Sequence, residues 1–490
     1  MTELVRGLPK DRRDFRVVLA CVAAITLARM IVLVVTPLEL HPDEAQYWWW
    51  AQTPAFGYFS KPPMVAWIIW GETSLLGNAE WVVRIASPLL HGMTALVVFA
   101  LGRRVYDSRI GLLSALAYLT TPGVSYSSSL LSTDVPLLLC WAVAVHAFVR
   151  GLDEPGWRWP LLCGVALGLG LLSKYAMIYF FIGAAISALI VPRARALIVG
   201  SRGAAILATS LLLVAPNIWW NAQHGFPTLT HVGVNADWEH ARYSLLSAAG
   251  FFFGQLGVFG PLLMAGYLMA MWRLARNSVR MEGELVLAAF SVPPLALMLA
   301  QSFIATANAN WAATAYVAAT PLATRELARW WQGRAVFASS VLNGLAMIAL
   351  WIVVAEPAAA DRTGFGNAFK REEGWRSLGA QVVRQAAAGH YDAIASDNRS
   401  MIAELLYYAR ASSVPIRAWS GDPRPRDHFQ MTIPLQPGTA RVLLAVEPRG
   451  AGAVTATFDS VVLLDRVVVA VGGRHQRVTQ LYDARNYRGP

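Results

Sequence analysis

The sequence predicts an α-helical polytopic membrane protein of about eleven transmembrane helices, followed by a small C-terminal α/β extracytoplasmic domain. Three observations lead there. Hydrophobic residues make up 56% of the 490-residue chain and charged residues 14%, against about a quarter charged in soluble domains. There is too little charge to cover a water-facing surface. The shortage is uneven, with 42 Asp, Glu, Lys and Arg in residues 1–356 and 29 in the much shorter stretch 357–490. Basic clusters also recur between apolar runs on every second side, as the positive-inside rule requires of cytoplasmic loops.

The N-terminus places Arg6, Lys10, Arg12, Arg13 and Arg16 around the start of an apolar run from Phe15 to about Thr36. That run is too long for a signal-peptide core and lacks a clear small-residue cleavage site, so it reads as a retained first span. A bilayer core about 30 Å thick takes about 20 apolar residues per helix, and fewer where a helix is buried in protein. Further runs lie near 80–101, 110–131, 134–150, 159–173, 175–191, 203–220, 246–272, 284–304, 311–323 and 336–355. The run interrupted at Pro122 and Gly123 fits least well. The later basic clusters are Arg103/Arg104/Arg109, Arg150/Arg158, Arg193/Arg195/Arg202, Arg273/Arg276/Arg280 and Arg325/Arg329/Arg334. Their alternation predicts a cytoplasmic N-terminus and, after an odd number of spans, a tail 357–490 outside.

Two outside loops are long enough to hold a site, 37–79 and 221–245. The first carries Trp48, Trp49, Trp50, Trp67 and Trp70 among prolines and glycines, which predicts short helices lying along the membrane interface. Beyond Pro357 the pattern changes. Residues 393–396, 442–446, 460–464 and 467–471 are short β-type runs, 400–410 has helical spacing, and 421–427 reads as a loop. The chain divides into a membrane domain over 1–356, with its two outer loops, and an extracytoplasmic domain over 357–490. Cys21, Cys140 and Cys163 all lie in apolar runs, which excludes a disulfide framework or cysteine zinc site in the tail. The net charge of +11 does not indicate nucleic acid, because nineteen of the 24 basic residues before residue 357 belong to the topology clusters. The partner so implied is the lipid bilayer.

Several residues stand outside these patterns. His41-Pro42-Asp43-Glu44 follows the first span, and an acidic pair near a membrane is costly unless it binds or reacts with something; Asp43 would equally serve as the N-cap of an interfacial helix. Lys61, one of four lysines, sits in the same loop between Tyr58-Phe59 and Pro62-Pro63. A fixed ammonium there suits a lipid phosphate, or else it snorkels. Asp134 opens an apolar helix either as its cap or as a site carboxylate. Lys174 and Arg84 break the charge rule at outer span ends, and Arg29 lies inside the first span, where it needs a partner or a polar cavity. His224 and His231 suit either interfacial hydrogen bonding or a divalent metal whose carboxylate comes from elsewhere; Asp237 and Glu239 lie nearby without pointing to one. No glycine-rich phosphate loop follows a strand, so a nucleotide-sugar donor gains no support.

Taken together, HPDEAQYW at 41–48, GYFSKPPMVAW at 57–67, VVRIASPLL at 82–90, STDVP at 132–136, LLSKY at 171–175 and PNIWWNAQHGFPTL at 216–229 resemble the polyprenyl-phosphate-sugar-dependent GT-C glycosyltransferases. These include protein O-mannosyltransferases, lipid A aminoarabinose transferases and rhizobial galacturonosyltransferases. The resemblance spans roughly residues 15–355 and implies an inverting transfer from a polyprenyl-phosphate sugar donor to a cell-envelope acceptor, on the outer face of a bacterial inner membrane. By the same resemblance Asp43, Glu44 and Asp134 are catalytic and Lys61 binds the donor phosphate; Arg84 and Lys174 join it in that role because, with Arg29 and Arg242, they are the basic residues that neither the topology clusters nor the tail accounts for. Tyr58, His224 and His231 are substrate contacts. Aminoarabinose transferases have a Glu directly before the lysine, implicated in metal binding with a later histidine that His231 resembles. Here the position is Ser60, so the metal is unassigned and no cofactor is certain.

A transporter or flippase for a lipid-linked sugar is the main alternative. Transporters place charges and broken helices near the midplane, usually in repeated halves, whereas this chain shows no repeat and puts its unusual charges at the outer boundary. A membrane scaffold with an envelope-binding outer domain is a third reading.

Overall fold

The computed structural model describes residues 10–238, 241–277, 280–363, 366–473 and 475–489; Arg6 and Glu239 lie outside them. The chain forms two compact units. The first comprises the described residues up to Leu33, Lys61–Val65 and Arg84–Trp351. The second comprises Val34–Ser60, Ala66–Val83 and the described residues from Ile352. The change of character that the sequence places after residue 356 thus falls near residue 351, and most of the first long loop belongs to the same unit as the tail.

Every apolar run is helical, but not every run is one helix. Lys10–Val35, Asp134–Asp153, Ser201–Gln223, Glu282–Ile304 and Arg334–Ala355 are long and continuous. The run 110–131 breaks into Ser108–Thr120 and Pro122–Ser127, because Thr121 precedes a proline and is extended at ψ 140°. The run 246–272 breaks into Leu245–Phe259 and Pro261–Arg276, bent by 111°. Gly260 makes that turn at φ +93°, where a Cβ would also lie 2.4 Å from Asn343 Oδ1. Among the described residues, six helices are long and apolar enough to cross a bilayer, or seven if the bent pair is one span. The chain is therefore a multi-pass membrane protein, while the figure of eleven spans counts short and broken helices that do not meet that test. Arg158–Ser173 and Tyr175–Ile190 are two such short helices.

Small residues let these helices approach. A Cβ on Gly164 would sit 2.7 Å from the Ile206 carbonyl oxygen, and one on Gly168 would sit 2.7 Å from Leu213 Cβ, so Arg158–Ser173 packs backbone-close on Ser201–Gln223. One charge network inside the unit joins three helices. Arg273 donates through Nε to Glu326 at 2.7 Å and through Nη2 and Nη1 to Glu284 at 2.6 and 3.1 Å, and Tyr106 adds a hydroxyl to Glu284 at 2.9 Å. Arg29, 2% exposed, donates to the Leu119 carbonyl at 2.5 Å, an orphan acceptor at the end of Ser108–Thr120, and to Ser125 Oγ at 3.3 Å.

In the second unit a five-stranded sheet runs in the order β2-β1-β3-β5-β4. The strands are β1 Ala393–Ser396, β2 Ile416–Ala418, β3 Arg441–Val446, β4 Phe458–Val471 and β5 His475–Tyr487. β1 lies parallel to β2 and β3, and the antiparallel β4–β5 hairpin joins through β5. β1 is buried along its whole length, which is why it reads as a short apolar run. The runs at 460–464 and 467–471 are one strand with an irregularity between Leu463 and Asp465. Helix Arg399–Tyr408 answers the helical spacing at 400–410.

The first long loop is folded into this unit by side chains from both parts. Glu39 donates its N–H to the Glu372 carbonyl at 2.9 Å and accepts the Trp375 N–H on Oε2 at 2.5 Å. Tyr408 Oη accepts the Leu40 N–H at 2.8 Å. Helix Pro42–Ala51 lies against helix Arg399–Tyr408, where Trp48 meets Tyr407 edge-on at 4.9 Å and donates Nε1 to Asn78 Oδ1 at 2.7 Å.

Replacing Arg273 with Met leaves the buried Glu284 without its cation and Glu326 with only the longer Arg329 contact at 3.7 Å, which costs about 3–5 kcal/mol. Thermal unfolding of the purified protein in detergent is expected to show a large drop in midpoint, and an unchanged midpoint would mean the network contributes nothing.

Candidate active site

Helix Pro42–Ala51 begins with a complete capping box. His41 is the N-cap: its Nδ1 accepts the Asp43 N–H at 3.2 Å, and Glu44 Oε2 accepts the His41 N–H at 2.9 Å. Pro42 occupies the first helical position, where its missing N–H costs nothing. The structure thus corrects the reading of Asp43 as the cap. Asp43 lies one position inside the helix, and its carboxylate is engaged by Arg399, whose Nη1 and Nη2 both donate to Oδ1 at 3.0 Å. Arg399 Nη1 also donates to Gln46 Oε1 one turn on. Glu44 is 1% exposed and already closes the box.

Tyr58 supports the same loop. It is 2% exposed, stacks on Trp50 with ring centroids 4.6 Å apart, donates its hydroxyl to the Trp50 carbonyl at 3.0 Å and accepts the Ala55 N–H at 3.1 Å. Burial pushes the phenol up to about 12, with the Ala55 N–H pulling slightly the other way, so it stays protonated at neutral pH. His428 packs edge-on to both rings, at 5.4 Å from Trp50 and 5.5 Å from Tyr58.

In the transmembrane unit Asp134 likewise proves not to be a cap. Helix Asp134–Asp153 starts after Thr133 with no side-chain cap bond. The Asp134 carboxylate instead accepts Lys174 Nζ on Oδ1 at 2.7 Å and Asn310 Nδ2 on Oδ2 at 2.8 Å. Lys174 is the residue at which helix Arg158–Ser173 ends, so the break between the two short helices delivers its ammonium to Asp134. Next to it, Tyr175 donates to Asn217 Oδ1 at 2.7 Å and accepts from Asn221 Nδ2 at 3.2 Å. Lys61, half-buried, and Arg84, 2% exposed at the end of the short helix Glu80–Arg84, fold in this same unit.

The two histidines are not brought into a metal set. His224 is exposed, bonds Trp220 O through Nδ1 at 2.7 Å and stacks on the Trp220 ring at 4.1 Å, while His231 lies half-exposed on helix Pro227–Ala236. Among the described residues no three His, Cys, Asp or Glu side chains converge as metal ligands. Two residues went unnoticed in the sequence, Arg399 and Asn310. Neither stands in a motif, and each meets its carboxylate from far along the chain.

Residues 60–220 match the family model described as dolichyl-phosphate-mannose-protein mannosyltransferase. The chain is 34% identical over 419 residues to the lipid A galacturonosyltransferase RgtD of Rhizobium johnstonii, covering 85% of this chain and 88% of that one. The chain belongs to the GT-C superfamily of membrane glycosyltransferases. The fold agrees: ArnT from Cupriavidus metallidurans matches with a TM-score of 0.68 at 15% identity over 94% of this chain and 97% of that one. Its undecaprenyl-phosphate-bound form matches at 0.66 and 17% identity, with the same coverage. GT-C membership decides between the enzyme and the flippase, and this chain is a glycosyltransferase using a lipid-linked sugar donor.

The cap of the Asp43 helix titrates. Burial holds the His41 imidazole below its ordinary value; Asp43 and Glu44 oppose this, and Arg371 and Arg399 reinforce it. The folded state therefore binds this proton less readily than the unfolded chain. Its contribution to stability is full above about pH 6.5 and declines as the pH falls below that value. Asn caps without titrating, so His41→Asn is expected to flatten the acid side of a plot of unfolding midpoint against pH; identical profiles for both proteins would refute the assignment.

Proposed function

We propose that this GT-C enzyme moves a sugar from a polyprenyl-phosphate carrier to lipid A or the neighbouring lipopolysaccharide core, with inversion at the anomeric carbon. Galacturonic acid is the sugar favoured, on the strength of the likeness to RgtD across most of both chains. The reaction takes place on the outer face of a bacterial inner membrane. The N-terminus is then cytoplasmic, and the second unit, with its loop, faces the periplasm; the alternation of basic clusters supports this orientation.

The observation that carries the reading is that Asp43 is spared from capping. His41 and Glu44 hold the helix start between them, and the carboxylate of the intervening residue is engaged by the Arg399 guanidinium at a solvent-accessible position, 41% exposed. In the proposed step the acceptor hydroxyl oxygen attacks the anomeric carbon and its proton passes to Asp43. The bond from that carbon to the phosphate oxygen breaks, and the phosphate leaves with the electron pair. Phosphate departs as an anion and needs cations rather than a proton donor, which is the role assigned to Lys61, Arg84 and Lys174. Asp134 fixes the Lys174 ammonium through the 2.7 Å bond. Glu44 holds Asp43 in place through the capping box, while Tyr58 builds the loop wall next to the sugar, and His224 and His231 are assigned to sugar contacts.

Asp43→Asn is expected to lower transfer by about 10²–10⁴-fold while leaving membrane insertion and the unfolding midpoint intact; transfer at the native rate would remove Asp43 from the mechanism. Lys61→Ala should raise the donor KM and lower kcat together. Mass spectrometry of lipid A and of polyprenyl-phosphate sugars from a deletion strain is expected to show one missing substituent and one accumulating donor. An unchanged lipid A and core would rule out this acceptor.

A further inference from the structure

We propose that Arg399 is a positioning residue for sugar transfer, clamping the Asp43 carboxylate in the orientation from which it acts on the acceptor hydroxyl. The proposal rests on the reading of Asp43 given above. Three features of the molecule lead to it.

The first is the geometry. Two nitrogens of one guanidinium reach Asp43 Oδ1, each at 3.0 Å, and Nη1 also bonds Gln46 Oε1. The planar fork ties together two side chains of helix Pro42–Ala51 that lie one turn apart, which the point charge of a lysine cannot do as well.

The second is the location. Arg399 follows strand β1, which pairs in parallel with β2 on one side and β3 on the other. The carboxyl end of a strand at such a switch point is where open α/β sheets place functional groups. The support is rigid: β1 is fully buried, Asn398 caps the helix by accepting the Ser400 and Met401 N–H groups, and Met401, Ile402 and Leu405 are buried.

The third is that local preference runs against an arginine here. It is the first residue of helix Arg399–Tyr408, where the positive end of the helix dipole disfavours a cation. The pair is 38% and 41% exposed, and ion pairs this open contribute little to stability. A cation set against the dipole for so little folding benefit is explained by what it does to Asp43.

The test uses the full-length enzyme in detergent, with polyprenyl-phosphate galacturonic acid and lipid A as probes. Arg399→Ala is expected to lower kcat by about 10²-fold with the donor KM and the unfolding midpoint unchanged. Millimolar guanidinium should restore much of that rate, and Arg399→Lys should fall between the two. Native kcat in Arg399→Ala overturns the proposal. So does a loss of rate that guanidinium does not relieve and that comes with a lowered midpoint, since that marks a structural role. Asp43→Asn is assayed in parallel: if it stays active, the reading of Asp43 fails, whereas an inactive Asp43→Asn beside a fully active Arg399→Ala isolates the failure to the clamp.

Discussion

A polar group in apolar surroundings must find a partner or cost several kcal/mol, and the unusual residues of this chain are arranged by that constraint. In the transmembrane unit it produces two kinds of pairing. The Arg273, Glu284 and Glu326 network joins three helices through one guanidinium with bonds of 2.6 to 3.1 Å. Arg29 meets the requirement in part, giving its Nη2 to a backbone carbonyl left without a partner where a helix stops before Pro122, while its Nε and Nη1 are buried without a hydrogen bond. In sequence this arginine stands alone inside the first span; in the fold one of its nitrogens reaches the broken end of a neighbouring helix.

The same constraint bears on the acids at helix starts. Asp43 and Asp134 both stand at helix starts, where capping is the obvious role for a carboxylate. Neither caps. His41 and Glu44 perform that task for one helix, and the other starts with no side-chain cap at all. Both carboxylates face cations instead, Arg399 in one unit and Lys174 in the other. Each helix start is thereby tied to a distant part of its own unit.

Much of this was legible in the sequence, and the rest failed for identifiable reasons. The apolar runs are helical because lipid-facing and core-facing helices alike need unbroken apolar surface, and β1 matches its apolar run residue for residue because it is buried on both faces. The count of spans was not legible: a run such as 246–272 is apolar throughout, yet one glycine at φ +93° bends it by 111°. β5 was missed because His475–Tyr487 is polar and gains its order from the ladder with β4. The Arg399 contact spans 356 positions and joins a loop to a tail that composition alone sets apart. Only the fold shows that Glu39, Leu40 and Trp48 attach the loop to the tail.

That attachment gives the C-terminal unit a purpose. A loop rich in tryptophan has many apolar surfaces on which to settle, and a carboxylate assigned to act on a hydroxyl must be held to within fractions of an ångström. Bonds from Glu39 to Trp375 and from Leu40 to Tyr408 fix the entry to helix Pro42–Ala51, and the Trp48–Tyr407 contact fixes its flank. Trp375 opens helix Trp375–Ala388, and Tyr407 and Tyr408 end helix Arg399–Tyr408, the helices before and after β1 in the chain. The tail thus holds the loop through its own side chains, and Trp48 and Trp50, 5% and 1% exposed, are buried in protein within the same unit.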